Sequence, residues 1–194
     1  MQLILASASP RRRELLQAVG IPFRILPAHV EETYPSQLPV RQVAVYLAEK
    51  KARSLMDQVS GHEIVVAADT CVVLGDTLLG KPADEQQAFR MLQSLSGTTH
   101  EVITGVALMH QQRLHSFSEH TRVTFRSLAD ELIRYYVRMF RPLDKAGAYG
   151  IQEFIGYVGV VSVQGCYYNV MGLPVARLLA ELETFGMDWR QQFC

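Results

Sequence analysis

The hydrophobic positions along the chain fall into strand-like runs and helix-like periods. Residues 3–6 are four consecutive apolar residues, which predicts a short buried strand. Leu15, Leu16 and Val19 then follow helical spacing, and Pro10 suits the first turn of that helix. The chain is therefore expected to open with a strand that passes directly into a helix.

The remaining pattern predicts a fold that mixes helices with strands. Crossover connections and hairpins occur together, so we expect a mixed twisted sheet with flanking helices and not a purely parallel one. The expected strands are 22–26, two runs within 63–82 joined at Gly75-Asp76, two runs within 100–128 turning at Gln111-Gln112, and one within 156–174; the expected helices are 40–56, 84–95, 128–139 and 174–185.

Length and charge narrow the class of protein. A chain of 194 residues is one domain or two closely packed lobes, able to bury roughly 70% of its unfolded surface. Its 48% hydrophobic and 20% charged residues exclude a disordered or fibrous protein. Nineteen basic residues balance 19 acidic ones, which argues against a general binder of nucleic acid or of membrane surfaces. Any anion site must be local.

The cysteines and the N-terminus favour a cytoplasmic protein. Cys71, Cys166 and Cys194 are an odd number without close Cys or His partners at metal-ligand spacing, so they are expected to be reduced thiols. Arginines interrupt the first apolar run, which is therefore not expected to be a signal peptide. Since no run of about 18 apolar residues occurs, no membrane-spanning segment is expected either.

Three consecutive arginines follow the first strand, in the stretch "SASPRRRELL" at 7–16. A helix N-terminus already attracts anions, and arginines there strengthen that positive end. The guanidinium fork matches phosphate oxygens, so one interpretation is a polyphosphate site formed with Ser7 and Ser9. The alternative is that Arg11, Arg12 and Arg13 are solvated side chains on an exposed turn.

Several single residues are candidates for chemistry, each with a plain structural alternative. Asp69 ends the apolar run "IVVAAD", and Thr70 follows it. An aspartate at this place either lies at the rim of the sheet over a ligand, is buried at a cost in free energy, or caps a turn. Lys81 follows the hairpin and could be an ordinary surface lysine. Glu31 and Glu32, in the polar loop 29–39, could be a solvated pair.

Together these residues include the two kinds of group that a metal-dependent reaction at phosphate needs, cations and carboxylates. Cations neutralise phosphate oxygens, while two carboxylates suffice for Mg²⁺, which keeps several waters and substrate oxygens as ligands. Neither a Walker loop nor a G-x-G-x-x-G motif nor a nucleophile-elbow serine is present, and the six histidines suit no familiar zinc site. The cleft would hold Arg11, Arg12, Lys51, Lys81, Asp69 and Glu32.

The glycine-rich stretch "LDKAGAYGIQ" at 143–152 ends in an amide side chain. Such a stretch can be only a tight connection between elements. Gln152 nevertheless carries both a donor and an acceptor, which can read the edge of a nucleobase.

Six motifs in this order resemble the Maf family of nucleotide pyrophosphatases: "LASASPRRRELL", "LAEKKA", "AADT", "GKP", "KAGAYGIQ" and "NVMGLP". The resemblance covers nearly the whole chain and implies one Maf-like domain over residues 1–194. It also implies an α/β fold related to the inosine triphosphate pyrophosphatases, with two lobes around a nucleotide cleft.

The resemblance implies hydrolysis of nucleoside triphosphates to the monophosphate and pyrophosphate, with a divalent metal, Mg²⁺ or Mn²⁺. Water would attack the α-phosphorus. A small nucleotide is then the partner, neither nucleic acid nor a membrane is expected, and family members often form homodimers. Because the family is associated with septum formation and division arrest, the alternative is a regulatory nucleotide-binding protein with little turnover.

Roles for individual residues are carried over from the matching motifs. Asp69 corresponds to the presumed proton acceptor, with Lys51 and Lys81 as catalytic cations and Glu32 with Asp69 as metal ligands. The subgroup with "ADT" and "GAYGIQ" resembles the dTTP/UTP pyrophosphatases. The residues expected to bind substrate are Ser7, Arg11, Arg12, Thr70 and Gln152, of which Arg12, Thr70 and Gln152 match positions associated with base selectivity.

Two positions depart from the family pattern. Cys166 stands where a serine is common, and Glu153 replaces a usual glycine. Both lie at motif edges, so they bear on fine substrate preference more than on the reaction.

Overall fold

The structure of the protein is a computed structural model, which describes residues 1–190. Its strands form one mixed sheet. They are β1 (Gln2–Leu5), β2 (Phe23–Ile25), β3 (Glu63–Leu74), β4 (Thr77–Leu79), β5 (Thr99–His110), β6 (Arg113–Phe125) and β7 (Val160–Gln164). Within the described residues the order is β2-β1-β3-β5-β6-β7, and β4 pairs with β3 off that path. The predicted mixed sheet is confirmed.

Helices occupy the stretches between the strands. They are α1 (Pro10–Ala18), α2 (Val43–Arg53), α3 (Glu85–Leu95), α4 (Asp130–Phe140), α5 (Phe154–Gly159), α6 (Tyr167–Met171) and α7 (Val175–Thr184), with short 3₁₀ turns at Val40–Gln42, Met56–Gln58 and Ala146–Ala148.

The chain divides into two compact units. Unit 1 comprises Met1–Asp69, Thr104–Glu119 and the described residues from Gly172 onward; unit 2 comprises Thr70–Ile103 and His120–Met171. Strands β3, β5 and β6 contribute residues to both units. The sequence-based expectation of a single domain over 1–194 stays a prediction.

In unit 1 a helix lies very close to the sheet because the residues between them are small. β1 pairs in parallel with β2 and with β3. The apolar face of α2 carries Ala48 and Ala52, which share a core cluster with Ala67 of β3 and Ala107 of β5. At Gly105 of β5 an added Cβ would lie 2.3 Å from backbone atoms of α2, so the helix backbone rests directly on the strand.

In unit 2 the core is formed by α3 and α4 together with the ends of three strands and the segment 148–155. β3 and β4 form an antiparallel hairpin, as the Gly75-Asp76 turn predicted. Asp84 caps α3 by accepting a hydrogen bond from the Gln87 N–H, in keeping with the predicted helix start. β7 pairs antiparallel with β6.

Two sequence-based expectations differ from the structure. β3 continues through Asp69 to Leu74, so Asp69 lies inside a strand and not at its end. The strand continues because apolar residues follow Thr70 and because Asp69 finds a cationic partner. The stretch 156–174, expected to be a strand and a turn, also includes most of the short helix α5 and all of the short helix α6.

Cys71 is buried and Cys166 half-buried, and both are free thiols. Cys194 lies outside the described residues. Within residues 1–190, every helix is too short or too polar to cross a bilayer.

Candidate functional site

Helix α2 and strand β3 bring a lysine and an aspartate together inside unit 1. Lys51 is 8% exposed and Asp69 is 9% exposed, and the Lys51 Nζ lies 2.5 Å from Asp69 Oδ1. Burying either charge alone would be costly, so each stabilises the other in place. Of the alternatives for Asp69, burial with a compensating charge is therefore the one observed.

A second carboxylate contacts the same ammonium. Glu32 Oε1 lies 2.7 Å from the Lys51 Nζ, and the Glu32 side chain is 43% exposed while that of Lys51 is 10% exposed. The Lys51 ammonium thus bridges a carboxylate inside the unit and one that faces solvent.

Lys50, which the sequence did not single out, holds the loop that carries Glu32. Its Nζ donates to the Glu31 carbonyl at 2.8 Å, the Thr33 carbonyl at 3.1 Å and the Thr33 hydroxyl at 3.0 Å. These acceptors flank Glu32 on both sides, so Lys50 fixes the backbone from which the Glu32 carboxylate reaches Lys51. The paired lysines in "LAEKKA" were a signal for this, since adjacent helix residues point in different directions.

The arginine cluster lies at the start of α1, as predicted. The Arg12 guanidinium donates from Nε to the Gly172 carbonyl at 2.8 Å and from Nη1 to the Ser7 hydroxyl at 3.3 Å. Arg11 and Arg12 are half-buried, whereas Arg13 is exposed. Arg13 is therefore a solvated side chain on an exposed turn, whereas Arg12 is held in a defined orientation.

The loop that contains Ser7 leaves the sheet beside the strand of Asp69. The Ala6 N–H donates to the Val66 carbonyl at 2.8 Å, which continues the parallel pairing of β1 with β3. Ala6, which immediately precedes Ser7, thus lies beside Val66 on the strand that leads to Asp69.

Unit 2 holds the other residues expected to act on substrate. Thr70 follows Asp69 on β3 and is half-buried, while Lys81 is exposed after β4. The Gly147 N–H donates to the Gly80 carbonyl at 3.1 Å, so the turn that carries Lys81 is tied to the stretch that ends at Gln152. The Gln152 Oε1 is buried without a hydrogen-bond partner, an arrangement that costs free energy unless a ligand donates to it.

Two of the six histidines contact side chains of the protein itself. His100 Nε2 lies 2.7 Å from the Tyr149 hydroxyl in the core of unit 2, and burial lowers the pKa of His100 to about 4. His115 Nε2 lies 2.8 Å from Glu181 Oε2. Among residues 1–190, no three His, Cys, Asp or Glu side chains converge on a point where they would hold a metal by themselves.

Solved structures include one of similar fold. The structure of the Staphylococcus aureus Ham1 protein matches with a TM-score of 0.52 and 15% sequence identity, covering 95% of this chain and 99% of that one. At this identity the likeness concerns the fold alone, and it confirms the predicted fold class.

Relatives in sequence are much more similar. A protein of Phocaeicola vulgatus named dTTP/UTP pyrophosphatase is 49% identical over 94% of this chain and 95% of its own length. A Bacillus cereus protein of the same name is 48% identical over 96% of this chain and 97% of its own length. The family model described as Maf-like protein matches residues 2–185. The chain belongs to the Maf family.

Proposed function

We propose that the protein hydrolyses dTTP and UTP to the nucleoside monophosphate and pyrophosphate by attack of water on the α-phosphorus. The observation that carries the proposal is the Lys51 ammonium held between Asp69 and Glu32. Relatives that bear the name dTTP/UTP pyrophosphatase support the same activity.

The donor atoms of the site fit a divalent cation. Asp69 Oδ1 lies 2.5 Å and Glu32 Oε1 lies 2.7 Å from the Lys51 Nζ, so two carboxylates, each a source of hard oxygen donors, lie close to each other around that ammonium. Mg²⁺ and Mn²⁺ favour such oxygens and complete their coordination with substrate phosphates and water. Asp69 and Glu32 would hold the ion, which when bound neutralises charge on the phosphate oxygens.

The residues of this chain have separate roles around the triphosphate. Asp69 accepts the proton of the attacking water, and Lys51 and Lys81 stabilise the charge that develops on the phosphate oxygens. Ser7, Arg11 and Arg12 bind the polyphosphate at the start of α1, where backbone N–H groups also favour anions.

Base selection is assigned to Arg12, Thr70 and Gln152. Thymine and uracil present a donor at N3 and an acceptor at O4, whereas cytosine presents an acceptor at N3 and a donor at its 4-amino group. The unpartnered Gln152 Oε1 can accept from the N3–H of the first two bases, while the same oxygen would face a lone pair of cytosine.

A panel of triphosphates, assayed with Mg²⁺ or Mn²⁺ and again with a chelator, tests the activity. Pyrophosphate released from dTTP and UTP, faster than from dCTP or dATP and abolished by the chelator, is the expected result. Orthophosphate together with a nucleoside diphosphate would contradict it. Tight nucleotide binding without any product would instead identify the regulatory nucleotide-binding protein.

The variant Asp69→Asn tests the assigned proton acceptor. Loss of the base is expected to lower kcat for dTTP about 100- to 10,000-fold, the range typical of general bases. Asp57→Asn, at an exposed position after α2, serves as the matched control and should keep full activity. If Asp69→Asn retains most of the pyrophosphate release with its fold intact, Asp69 does not have this role.

We also propose that the protein is cytoplasmic and that it forms a homodimer. A cytoplasmic location agrees with the free thiols of Cys71 and Cys166. A homodimer agrees with the exposed apolar side chains near β7, where Tyr157 is 81% and Val161 is 61% exposed. Sedimentation of the full chain measures its oligomeric state.

A further inference from the structure

The segment from Lys145 to Glu153, named here the Gln152 loop, is closed at its two ends by an ion pair between a buried lysine and a half-buried glutamate. Lys145 is 8% exposed, and its Nζ lies 3.1 Å from Glu153 Oε1. Asp144, whose side chain is 65% exposed, supplies a second carboxylate at 2.7 Å. Because a buried ammonium needs a compensating charge, the ion pair fixes the distance between the first and last residues of the loop.

Tyr136 of α4 joins the closed end of the loop to its backbone. Its hydroxyl donates to Glu153 Oε2 at 2.5 Å and accepts from the Gly150 N–H at 3.3 Å. The side chain is 0% exposed, and burial, reinforced by the hydrogen bond to Glu153, raises the pKa of Tyr136. The hydroxyl therefore keeps its proton and remains a donor to the carboxylate.

The path between these anchors is also constrained. Gly147 and Ala148 have φ values of 66° and 59°, the left-handed region that is unfavourable for alanine. A Cβ on Gly150 would lie 2.8 Å from Glu153 Cδ, so the carboxyl group packs directly on the glycine. The loop keeps this conformation because the surrounding contacts impose it.

Gln152 lies between Gly150 and Glu153, both of which contact the Tyr136 hydroxyl. We propose that Tyr136, Glu153 and Lys145 form a positioning network that holds Gln152 for reading the pyrimidine and thereby sets the discrimination between thymine or uracil and cytosine. The inference rests on the proposed function, in which Gln152 contacts the base. Hydrogen bonds lose strength steeply with angle and distance, so a small displacement of the loop would impair base reading before it impaired chemistry.

The variants Tyr136→Phe and Glu153→Gln test the network while preserving side-chain shape. The ratio of kcat/KM for dTTP to that for dCTP is measured, with Gln152→Ala as the reference for lost base reading. We expect the ratio to fall at least about 10-fold in both variants, through a rise in KM for dTTP larger than any fall in kcat. A purely structural role would not move this ratio, because a smaller folded fraction lowers both rates equally.

Matched controls come from the exposed side of the same helix. Tyr135→Phe removes a tyrosine hydroxyl at a position that is 43% exposed, and Glu131→Gln removes a carboxylate charge at another exposed position. Both controls should leave the ratio unchanged. A ratio that is also unchanged in Tyr136→Phe and Glu153→Gln, or a wild-type protein without preference between the bases, would overturn the inference.

Binding measurements separate this inference from the proposed activity. Calorimetry with the non-hydrolysable α,β-imido analogues of dTTP and dCTP gives the affinity ratio without turnover, and we expect the same fall in both variants. If the wild-type protein releases no pyrophosphate, the proposed function fails while the affinity ratio still decides the inference. If dTTP is hydrolysed but the variants keep the wild-type ratio, the network is wrong and the activity stands.

Discussion

Lys51 shows how much of the candidate site depends on a single buried charge. Its neighbour Lys50 has the same chemistry and is bound to loop carbonyls, whereas Lys51 points inward to Asp69. The hydrophobic pattern of α2 does not distinguish the two lysines. Lys51 was included in the predicted phosphate cleft, but its burial could not be predicted from the helix alone, because that burial depends on an aspartate that lies in another element.

His100 gives a pH dependence of stability at the residue scale. Burial lowers the pKa of its imidazole to about 4, whereas an unfolded chain titrates it near 6.5. Below pH 6.5 the unfolded state takes up a proton that the folded state does not, so stability falls as the pH falls from 6.5 to 4. The integrated loss is on the order of 3 kcal/mol.

Urea unfolding of the wild-type protein and of His100→Gln, at pH 7 and at pH 4.5, measures this contribution. The wild-type free energy of unfolding should drop more than that of the variant over this interval. His62→Gln, at an exposed position, is the control and should follow the wild type. Parallel pH profiles for wild type and His100→Gln would show that His100 titrates normally in the fold.

At the scale of elements, the approach of α2 to β5 sets the position of Lys51. Gly105→Ala would place a methyl group 2.3 Å from the backbone of Ala44 and Val45, and backbone atoms cannot rotate away. We expect a loss of about 3 kcal/mol in the free energy of unfolding and a lower kcat for dTTP, because α2 must move and carry Lys51 with it.

Thermal unfolding and steady-state kinetics of Gly105→Ala check this expectation. In the control Gly61→Ala, the new methyl would have Gln111 Nε2 as its nearest neighbour at 3.7 Å, which is ordinary contact. That control should differ from wild type by less than about 0.5 kcal/mol. Wild-type stability in Gly105→Ala would mean that the helix is not held against the strand at this point.

The elements were predictable where periodicity or turn chemistry was strong. The Gly75-Asp76 turn and the Asp84 cap located β4 and α3 correctly. Helices α5 and α6 were missed because they have six and five residues, too short for a helical period to emerge. Asp69 was expected at the end of an apolar run but lies inside β3, where an aspartate is tolerated because Lys51 compensates its charge.

For the whole molecule, the sequence predicted the mixed sheet, and the motif order identified the family. The motifs are distributed over both units, with "AADT" on β3 and "KAGAYGIQ" in unit 2. Motif residues that contact each other can be far apart along the chain: Arg12 and Gly172, which share a hydrogen bond, are separated by 160 positions. Such pairings depend on the fold, and local patterns carry no information about them.

The proposed reaction depends most directly on attack of water at the α-phosphorus. Hydrolysis of dTTP in ¹⁸O-labelled water, followed by mass spectrometry of both products, identifies the phosphorus that is attacked. We predict that the label enters dTMP and that the pyrophosphate stays unlabelled. Label in the pyrophosphate, with unlabelled dTMP, would show attack at the β-phosphorus and contradict the proposal.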